Sequence, residues 1–394
     1  MEQVLLKEAQ QNKNYLVTLR RAFHQSPELA NQEYMTAIRI EQELDKLNIS
    51  HKRVGETGVL GVLTADGPKP SSGIVALRAD IDALPIQEET GTTYASKTDG
   101  VMHACGHDAH TACLLGAAKL LRKHSGEWSG EVRFLFQPAE ETGGGAKDFI
   151  DAGALQNVER VFSLHVAPDL PVGTVGIKPG LNNAAVDHFR IMIHGRAAHV
   201  STPQLGADAL YAASQLVVAI QGIVARRTSP VEPVVLGVGK LQAGTTYNAV
   251  AEYAALEGTT RTISRRVCLE MQERIDEAAR HIASISGAEA NVIWTDVCSA
   301  LVNEPCVCQE AAEVGAALGL KVIDQRPLSL GGDNFAEYLR VVPGCYAYLG
   351  TANGKLPATH FGVHNGHFDL DEEALPYGSA LYTACALKWL KNSH

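Results

Sequence analysis

The side chains in this sequence that could do chemistry are concentrated in short segments, most of which follow a predicted strand. They combine one cysteine with several histidines, aspartates and glutamates. Thiolate, imidazole and carboxylate are the groups that hold zinc and similar first-row metal ions. Because a protein core rarely buries so many unpaired titratable groups, their convergence favours a metal centre. The segments are Asp80-Ile81-Asp82, His103-Ala104-Cys105-Gly106-His107-Asp108, Gln137-Pro138-Ala139-Glu140-Glu141, His165, and His360-Phe361-Gly362-Val363-His364-Asn365-Gly366-His367.

Cys105 has three possible roles. It can be a small buried apolar residue, which is a common role for a cysteine. It can be a nucleophile activated by His103 or His107. It can also be a metal-bound thiolate, bridging two ions. The neighbouring carboxylates Glu140 and Glu141 favour the third role, because one can bind a metal while the other acts as a base.

The elements that must position these segments alternate between strand and helix. Apolar residues at helical spacing, such as Leu16, Leu19 and Phe23 or Ile38, Leu44 and Leu47, predict amphipathic helices. The alternation predicts an α/β fold with a mostly parallel sheet covered on both faces. Open sheets of this kind bind ligands at the carboxyl ends of their strands. The predicted strands are Val59–Leu63, Ile74–Leu77, Val132–Phe136, Val161–Val166 and Cys345–Leu349, and the predicted helices include Thr111–Arg122, Gln309–Leu318, Asn334–Leu339 and Glu372 to about Lys391.

The middle of the chain follows a different order of elements. Phe189, Ile191 and Ile193 share one face of a predicted strand, and the whole region has the order β-α-β-β-α-β of a ferredoxin-like domain. We therefore expect a domain of residues 184–296 inserted into a larger one formed by residues 1–183 and 297–394. The predicted elements are His188–His194, Ala207–Arg226, Val234–Leu241, Glu252–Ile263, Val267–Ser286 and Asn291–Trp294.

The composition of the chain limits the cell compartment and the classes of partner that we expect. The chain has 394 residues and a formal net charge of −10, which argues against nucleic acid or an anionic membrane surface as a partner. It contains no run of ~18 apolar residues, so we expect no membrane span. The first residues lack an apolar signal segment, and the eight cysteines are scattered along the chain. A cytoplasmic protein with reduced thiols is therefore expected.

Taken in order, the motifs Asp-x-Asp-Ala-Leu-Pro, His-Ala-Cys-Gly-His-Asp and Gln-Pro-Ala-Glu-Glu carry a family resemblance. The chain resembles metallo-aminohydrolases that include bacterial N-acyl-amino-acid amidohydrolases, hippurate hydrolases, N-acetyl-diaminopimelate deacetylases and plant auxin-conjugate hydrolases. The resemblance extends from Phe23-His24-Gln25-Ser26-Pro27-Glu28 to Leu370-Asp371-Glu372-Glu373. It implies a metallohydrolase domain with an inserted domain that serves as a lid and in dimerisation.

The resemblance also implies a role for each site residue. Glu140 is the general base on the attacking water, Asp82 orients a ligand, and His103 and His110 have no ligand role. Two divalent ions, Zn²⁺ or Mn²⁺, are the implied cofactors. The implied metal ligands are Cys105, His107, Glu141, His165 and His364.

Three residues of the inserted domain are implied to act on the substrate. His199 lies in a segment that carries a histidine across the dimer interface, so a homodimer or higher homo-oligomer is expected. Asn248 and Arg261 lie in segments that present an amide and a guanidinium to the substrate, and arginine suits the carboxylate of an amino acid. Where the family usually has Gly-Glu-Asp-Phe, this chain has Gly332-Asp333-Asn334-Phe335, and no role for that loop follows from the resemblance.

The predicted function is hydrolysis of the amide bond of a small N-acyl amino acid, with acetyl, benzoyl or a similar acyl group. A small dipeptidase or carboxypeptidase of the same fold, a cysteine hydrolase, and a non-catalytic acyl-amino-acid binding protein are the alternatives. A zinc nucleobase deaminase is excluded, because Pro305-Cys306-Val307-Cys308 is one residue short of the deaminase element and no His-x-Glu precedes it. The acyl group, the amino acid and the metal stay undetermined at this level.

Overall fold

The short apolar runs form strands, and the segments at helical spacing form helices between them. The computed structural model describes residues 1–67 and 73–392. Its strands are β1 Ser50–Val54, β2 Gly58–Asp66, β3 Ile74–Asp80, β4 Ser129–Gln137, β5 Arg160–Pro171, β6 Thr174–Gly176, β7 Gly180–Asn183, β8 Ala185–His194, β9 Val235–Ala243, β10 Tyr253–Thr262, β11 Glu289–Cys298, β12 Leu301–Asn303, β13 Lys321–Ile323 and β14 Gly344–Ala352. Its α-helices are α1 Glu2–Gln11, α2 Lys13–His24, α3 Tyr34–Lys46, α4 His107–Lys123, α5 Ala146–Asp151, α6 Ala209–Gly222, α7 Arg265–Ile285, α8 Pro305–Ala317, α9 Phe335–Leu339 and α10 Leu375–Asn392.

The chain divides into two units, each with its own core. The first unit is built from three stretches of chain, Met1–Asn182, Val302–Pro327 and Asn334–His394. The second consists of Asn183–Leu301 and Leu328–Asp333. The hydrophobic core of each unit is formed by its own residues.

The first unit contains an eight-stranded sheet in the order β1-β2-β4-β3-β5-β14-β6-β13. Its centre is parallel, since β3 pairs parallel with β4 and β5, and β5 pairs parallel with β14. Cys345, Ala347 and Leu349 of β14 belong to the core that includes α4 and α10, while Tyr346 on the opposite face stacks against Phe335 of α9 with ring centroids 5.7 Å apart. Helices therefore cover both faces, as predicted.

Two local predictions for this unit were wrong in detail. His165 does not end its strand, because β5 continues to Pro171 alongside β14, where His165 is paired with Tyr348. Ile38 is 38% exposed, and the core face of α3 carries Ala37 and Ile40 instead. The short or polar strands, such as β1 and β13, were missed because they carry too few apolar residues to produce a periodic signal.

The second unit has a four-stranded antiparallel sheet in the order β11-β8-β10-β9. With α6 and α7 between the strands, this is the ferredoxin-like order predicted from the sequence. Phe189, Ile191 and Ile193 of β8 are fully buried with residues of both helices. Arg261 of β10 lies on the other face of the sheet, because its neighbours Thr260 and Thr262 point into the core and are fully buried.

One stretch in the described residues, Ala209–Arg227, is long and apolar enough to cross a membrane by length and composition alone. It comprises α6 and a π-helical turn, Ile223–Arg227. Ala212, Leu216 and Ile220 of α6 are fully buried in the core of the second unit. Part of the apolar surface of this helix is therefore buried in a protein core. On its outer side, Tyr211 and Val218 are 57% and 72% exposed.

Candidate metal centre

Several candidate ligands of the first unit follow turns that either require glycine or hold a residue with a side chain in a left-handed backbone conformation. Gly106 has a φ of +85°, and a Cβ at this position would lie 2.5 Å from Cγ2 of Val166. Only glycine fits there, and α4 begins at the next residue, His107. After β4, Ala139 adopts a φ of +57° and leads into a short 3₁₀-helix that begins at Glu140. Left-handed backbone at a residue with a side chain costs free energy and occurs often at functional sites.

Side chains from these turns form two groups of three possible metal ligands that share Cys105. One group is Cys105, His107 and His165, and the other is Cys105, Glu141 and His364; within each, one ligand atom per residue lies within 4.8 Å of the others. The Cys105 Sγ is 3.4 Å from Nε2 of His165. The five residues predicted as ligands are thus brought together. Cys105 is the residue that the two groups share, so its sulfur lies within reach of both.

Hydrogen bonds select the ring nitrogen that each of two histidines presents to the cluster. Nδ1 of His107 is 3.2 Å from Oδ1 of Asp82, so this nitrogen donates to the carboxylate and Nε2 is the nitrogen that faces the cluster. Nδ1 of His165 donates to the carbonyl oxygen of Val166 at 2.8 Å, which leaves Nε2 as the acceptor. Burial lowers the pKa of His165 to about 3, so this imidazole is neutral and can bind a metal.

Asp82 connects two of the candidate ligands. Its Oδ1 accepts from His107, and its Oδ2 accepts the backbone N–H of Glu141 at 3.0 Å. Its side chain therefore orients the imidazole and the adjacent carboxylate loop together, consistent with the orienting role expected of it.

Asp80 is a second buried carboxylate that the sequence analysis left without a role. Its Oδ1 accepts from Nδ1 of His110 at 2.5 Å, and its Oδ2 lies 2.7 Å from Arg78 Nη1. Burial alone would raise the pKa of Asp80, but the cations around it hold that pKa well below its usual range. Nε2 of His110 accepts the backbone N–H of Val166 at 2.9 Å. Both nitrogens of His110 are therefore occupied, which matches a structural role for this histidine.

The donor set fits divalent cations. Burial, together with the charge of Glu141, raises the pKa of the Cys105 thiol well above its usual range, so a thiolate here needs a nearby cation. His107 Nε2 and Glu141 Oε1 are buried and make no hydrogen bond within the described residues. The two atoms lie 3.8 Å apart, and buried polar atoms without a hydrogen bond are costly unless a ligand occupies the space beside them.

His364 reaches the cluster from a loop near the end of the chain. Its backbone is also left-handed, with a φ of +61°, and its N–H donates to the carbonyl oxygen of Ala104 at 2.8 Å. Its Nε2 lies 3.2 Å from Oε1 of Glu141. The ring is half exposed, so this side of the cluster faces outward, where a substrate can approach.

Glu140 is held by a residue whose importance the sequence analysis did not recognise. The backbone N–H of Asn334 donates to Oε1 of Glu140 at 3.1 Å. Asn334 is 1% exposed. Its side chain connects to Arg78 and Gln137, which lie on neighbouring strands. The one available signal was its place in the loop that departs from the family pattern.

The three substrate-directed residues predicted in the inserted domain all belong to the second unit. His199 and Asn248 lie on neighbouring segments, because the Val200 N–H donates to the Asn248 carbonyl at 3.2 Å. The Ser201 N–H donates to Nδ1 of His199 at 3.1 Å, so the proton of the neutral ring lies on Nε2 of this exposed side chain. Nη1 of Arg261 donates hydrogen bonds to the hydroxyl oxygen of Thr259 and to the backbone carbonyl oxygen of Thr260.

Comparison with known proteins assigns the chain to a family. A model of peptidase family M20/M25/M40 matches residues 76–388. The chain belongs to this family. An N-acetyl-L-cysteine deacetylase of Bacillus subtilis is 40% identical over 91% of this chain and 84% of its own length. The IAA-amino acid hydrolase ILR1-like 4 of Arabidopsis thaliana is 36% identical over 96% of this chain and 86% of its own length.

A solved structure of an M20 relative supports the same assignment. The crystal structure of the Bacillus subtilis YXEP protein, described as a dinuclear metal binding peptidase, is 36% identical and gives a TM-score of 0.81. The match covers 97% of this chain and 99% of that one. These comparisons confirm the predicted family and the α/β metallohydrolase fold.

The substitution Asp82→Asn tests how this M20 centre orients its ligands. The Glu141 N–H needs the side-chain oxygen of residue 82, so the new amide must donate to Nδ1 of His107 and force the proton onto Nε2. We expect metal affinity to fall about 10–100-fold, as for lost partners of metal ligands. Chelator competition on the purified protein measures this. Asp187→Asn, a buried aspartate of the second unit, is the control and should bind metal normally; equal affinity in Asp82→Asn would contradict the assignment.

Proposed function

We propose that this M20 chain removes the acyl group from small N-acyl amino acids, using a centre of two divalent metal ions. The observation that carries the proposal is the pair of ligand groups sharing Cys105, with Glu140 next to them. Cys105, His107, Glu141, His165 and His364 would hold the ions. The thiolate favours Zn²⁺, while the carboxylate and imidazoles also accept Mn²⁺.

Bound ions would supply a Lewis acid for the amide carbonyl and would make water a better nucleophile at neutral pH. Glu140 then takes the proton of the attacking water and returns it to the leaving nitrogen. Its Oε1 accepts a hydrogen bond from the Asn334 N–H, which holds the carboxylate beside the ligand groups. Breakdown of the tetrahedral adduct releases a carboxylic acid and a free amino acid.

The second unit would recognise the amino acid. Nε and Nη2 of Arg261 make no hydrogen bond with the described residues, and together these two groups match the fork of a carboxylate. Asn248 is exposed, and its amide oxygen accepts from Thr246 at 3.1 Å, which leaves the NH₂ group to donate to substrate. Nε2–H of His199 would donate to the developing oxyanion.

The matched proteins support this substrate class. One is named for N-acetyl-L-cysteine and another for amino acid conjugates. The solved relative is described as a peptidase, so cleavage of dipeptides or of C-terminal residues is the second candidate. Both reactions break an amide bond beside a carboxylate, and they differ in whether the acyl side carries a charged amino group.

A metal analysis followed by a substrate screen tests the proposal. We expect two ions per chain, and hydrolysis of N-acetyl or N-benzoyl amino acids that stops with a chelator and returns with Zn²⁺ or Mn²⁺. Faster cleavage of dipeptides would favour the peptidase. Activity that resists chelators but not thiol reagents would indicate a cysteine nucleophile, and binding without product would indicate a binding protein.

The two adjacent carboxylates should have separable effects. Glu140→Gln should retain both ions and substrate affinity, while turnover falls about 10²–10⁴-fold, the usual contribution of general acid–base catalysis. Glu141→Gln should instead lose metal, because the amide is a poorer ligand than the carboxylate. Elemental analysis and kcat of both variants provide the measurement; the opposite pattern of metal content would exchange their roles.

We further propose that the second unit joins two copies of the chain. Strand β9 is an edge of its sheet, with one row of backbone groups available for pairing. The outer side of α6 exposes Tyr211 and Val218. An apolar helix face beside an open strand suits a two-fold contact, the commonest form of assembly. We infer a homodimer in the cytoplasm, where the eight free cysteines stay reduced, with neither a membrane nor nucleic acid as partner.

Mixing two inactive variants tests whether His199 acts in the partner's site. His199→Ala removes the proposed oxyanion donor, a loss of ~3–4 kcal/mol for one such donor, and Glu140→Gln removes the base. If His199 acts across the interface, a mixed dimer contains one site with both groups intact, so activity should reappear after subunit exchange. Verified heterodimers that stay inactive would show that His199 acts within its own chain or not at all.

A further inference from the structure

A buried amide forms a junction between the loop that carries Glu140 and two strands of the first unit. Oδ1 of Asn334 accepts from Gln137 Nε2 at 2.9 Å and from Arg78 Nη2 at 3.2 Å. Its Nδ2 donates to the carbonyl oxygen of Gly144 at 2.7 Å. Gln137 and Gly144 lie on either side of the Glu140 turn, so a single side chain holds both ends of that turn.

An amide is the group that meets these requirements. The position needs an oxygen that accepts two hydrogen bonds and, on the same carbon, a nitrogen that donates one. An aspartate would place an oxygen against the Gly144 carbonyl, with no proton between them, and would add a negative charge near Glu140. A hydrophobic side chain would leave Gln137 and Arg78 with buried, unpaired donors.

The same residue contacts Glu140 directly through its main chain. Its N–H donates to Oε1 of Glu140 at 3.1 Å. The side chain of Asn334 therefore fixes the position of its own backbone N–H, and that N–H fixes the carboxylate. Arg78 extends the connection to Asp80 at 2.7 Å, and Asp80 holds His110 on the helix that begins with His107.

We propose that Asn334 is the positioning residue for Glu140, holding its carboxylate in the orientation needed to take and return a proton. This inference rests on the proposed function, because it requires Glu140 to be the base. Within the described residues, Asn334 makes no hydrogen bond with Cys105, His107, Glu141, His165 or His364. Its effect should fall on the catalytic step, with metal content and substrate affinity retained.

Asn334→Ala and Asn334→Asp test this in the full-length, metal-loaded enzyme with an N-acetyl amino acid as substrate. Misplacing a catalytic group by about 1 Å can cost about 10²-fold, so kcat of Asn334→Ala should fall by about that factor while KM and metal content stay unchanged. Asn334→Asp keeps the acceptor but sets an oxygen against the Gly144 carbonyl and adds a negative charge near Glu140, so its kcat should fall at least as far as that of Asn334→Ala. It is also the variant of choice if Asn334→Ala does not fold.

The decisive readout is the same substitution in the Glu140→Gln background. A residue that acts through Glu140 should lower kcat no further there, because the base is already absent. An equal fall in both backgrounds, loss of metal, or unchanged kcat in the single variants would overturn the proposal. If Glu140→Gln itself retains full turnover, the proposed base fails instead, which is a distinct result.

Asn303→Ala is the matched control. Asn303 is also fully buried in the first unit, and its amide makes three hydrogen bonds, with Lys178 O and with the N–H and carbonyl of Tyr346. It should lose comparable stability without losing kcat. A similar fall in kcat for Asn303→Ala would attribute the effect of Asn334 to general destabilisation.

Discussion

A carboxylate buried in the middle of the first unit, Asp80, governs the geometry of the candidate metal centre. Removing such a charge from water costs several kcal/mol unless cations and donors surround it. Arg78 and His110 provide this compensation, and both are fully buried themselves. The remaining N–H groups of Arg78 also need acceptors, and two of them donate to the side-chain oxygens of Gln137 and Asn334. One buried charge is thus connected by hydrogen bonds to β3, β4, α4 and the residue that contacts Glu140.

Much of this arrangement was predictable from short-range patterns in the sequence. Apolar runs located the central strands, because buried strands need continuous hydrophobic residues. The ligand types clustered after those strands, and the parallel order brings their carboxyl ends to one edge of the sheet. The sequence alone therefore predicts that Cys105, His107 and Glu141 are neighbours.

The supporting residues could not be found in this way, because their partners are distant in sequence. Arg20 pairs with Asp108 and with Asp369, and Arg78 reaches Asn334. No local periodicity reports such a pairing, and each residue alone resembles an ordinary surface charge or amide. The hydrogen bonds of Asn334 could not be predicted for the same reason, because their partners are distant in sequence. Likewise, the extension of β5 beyond His165 depends on pairing with β14, which lies far along the chain.

The first unit is formed by three separate stretches of the chain, and this affects the order in which the protein folds during synthesis. Synthesis proceeds from the N-terminus, and domains tend to fold as their residues emerge from the ribosome. The four strands and two helices of the second unit are contiguous, so its core can form while the rest of the chain is still being translated. The main sheet must wait for β14, which lies between β5 and β6, and the cluster must wait for His364. Until then, a nascent chain exposes the thiol of Cys105 and an open sheet edge, both of which can react or pair with other molecules.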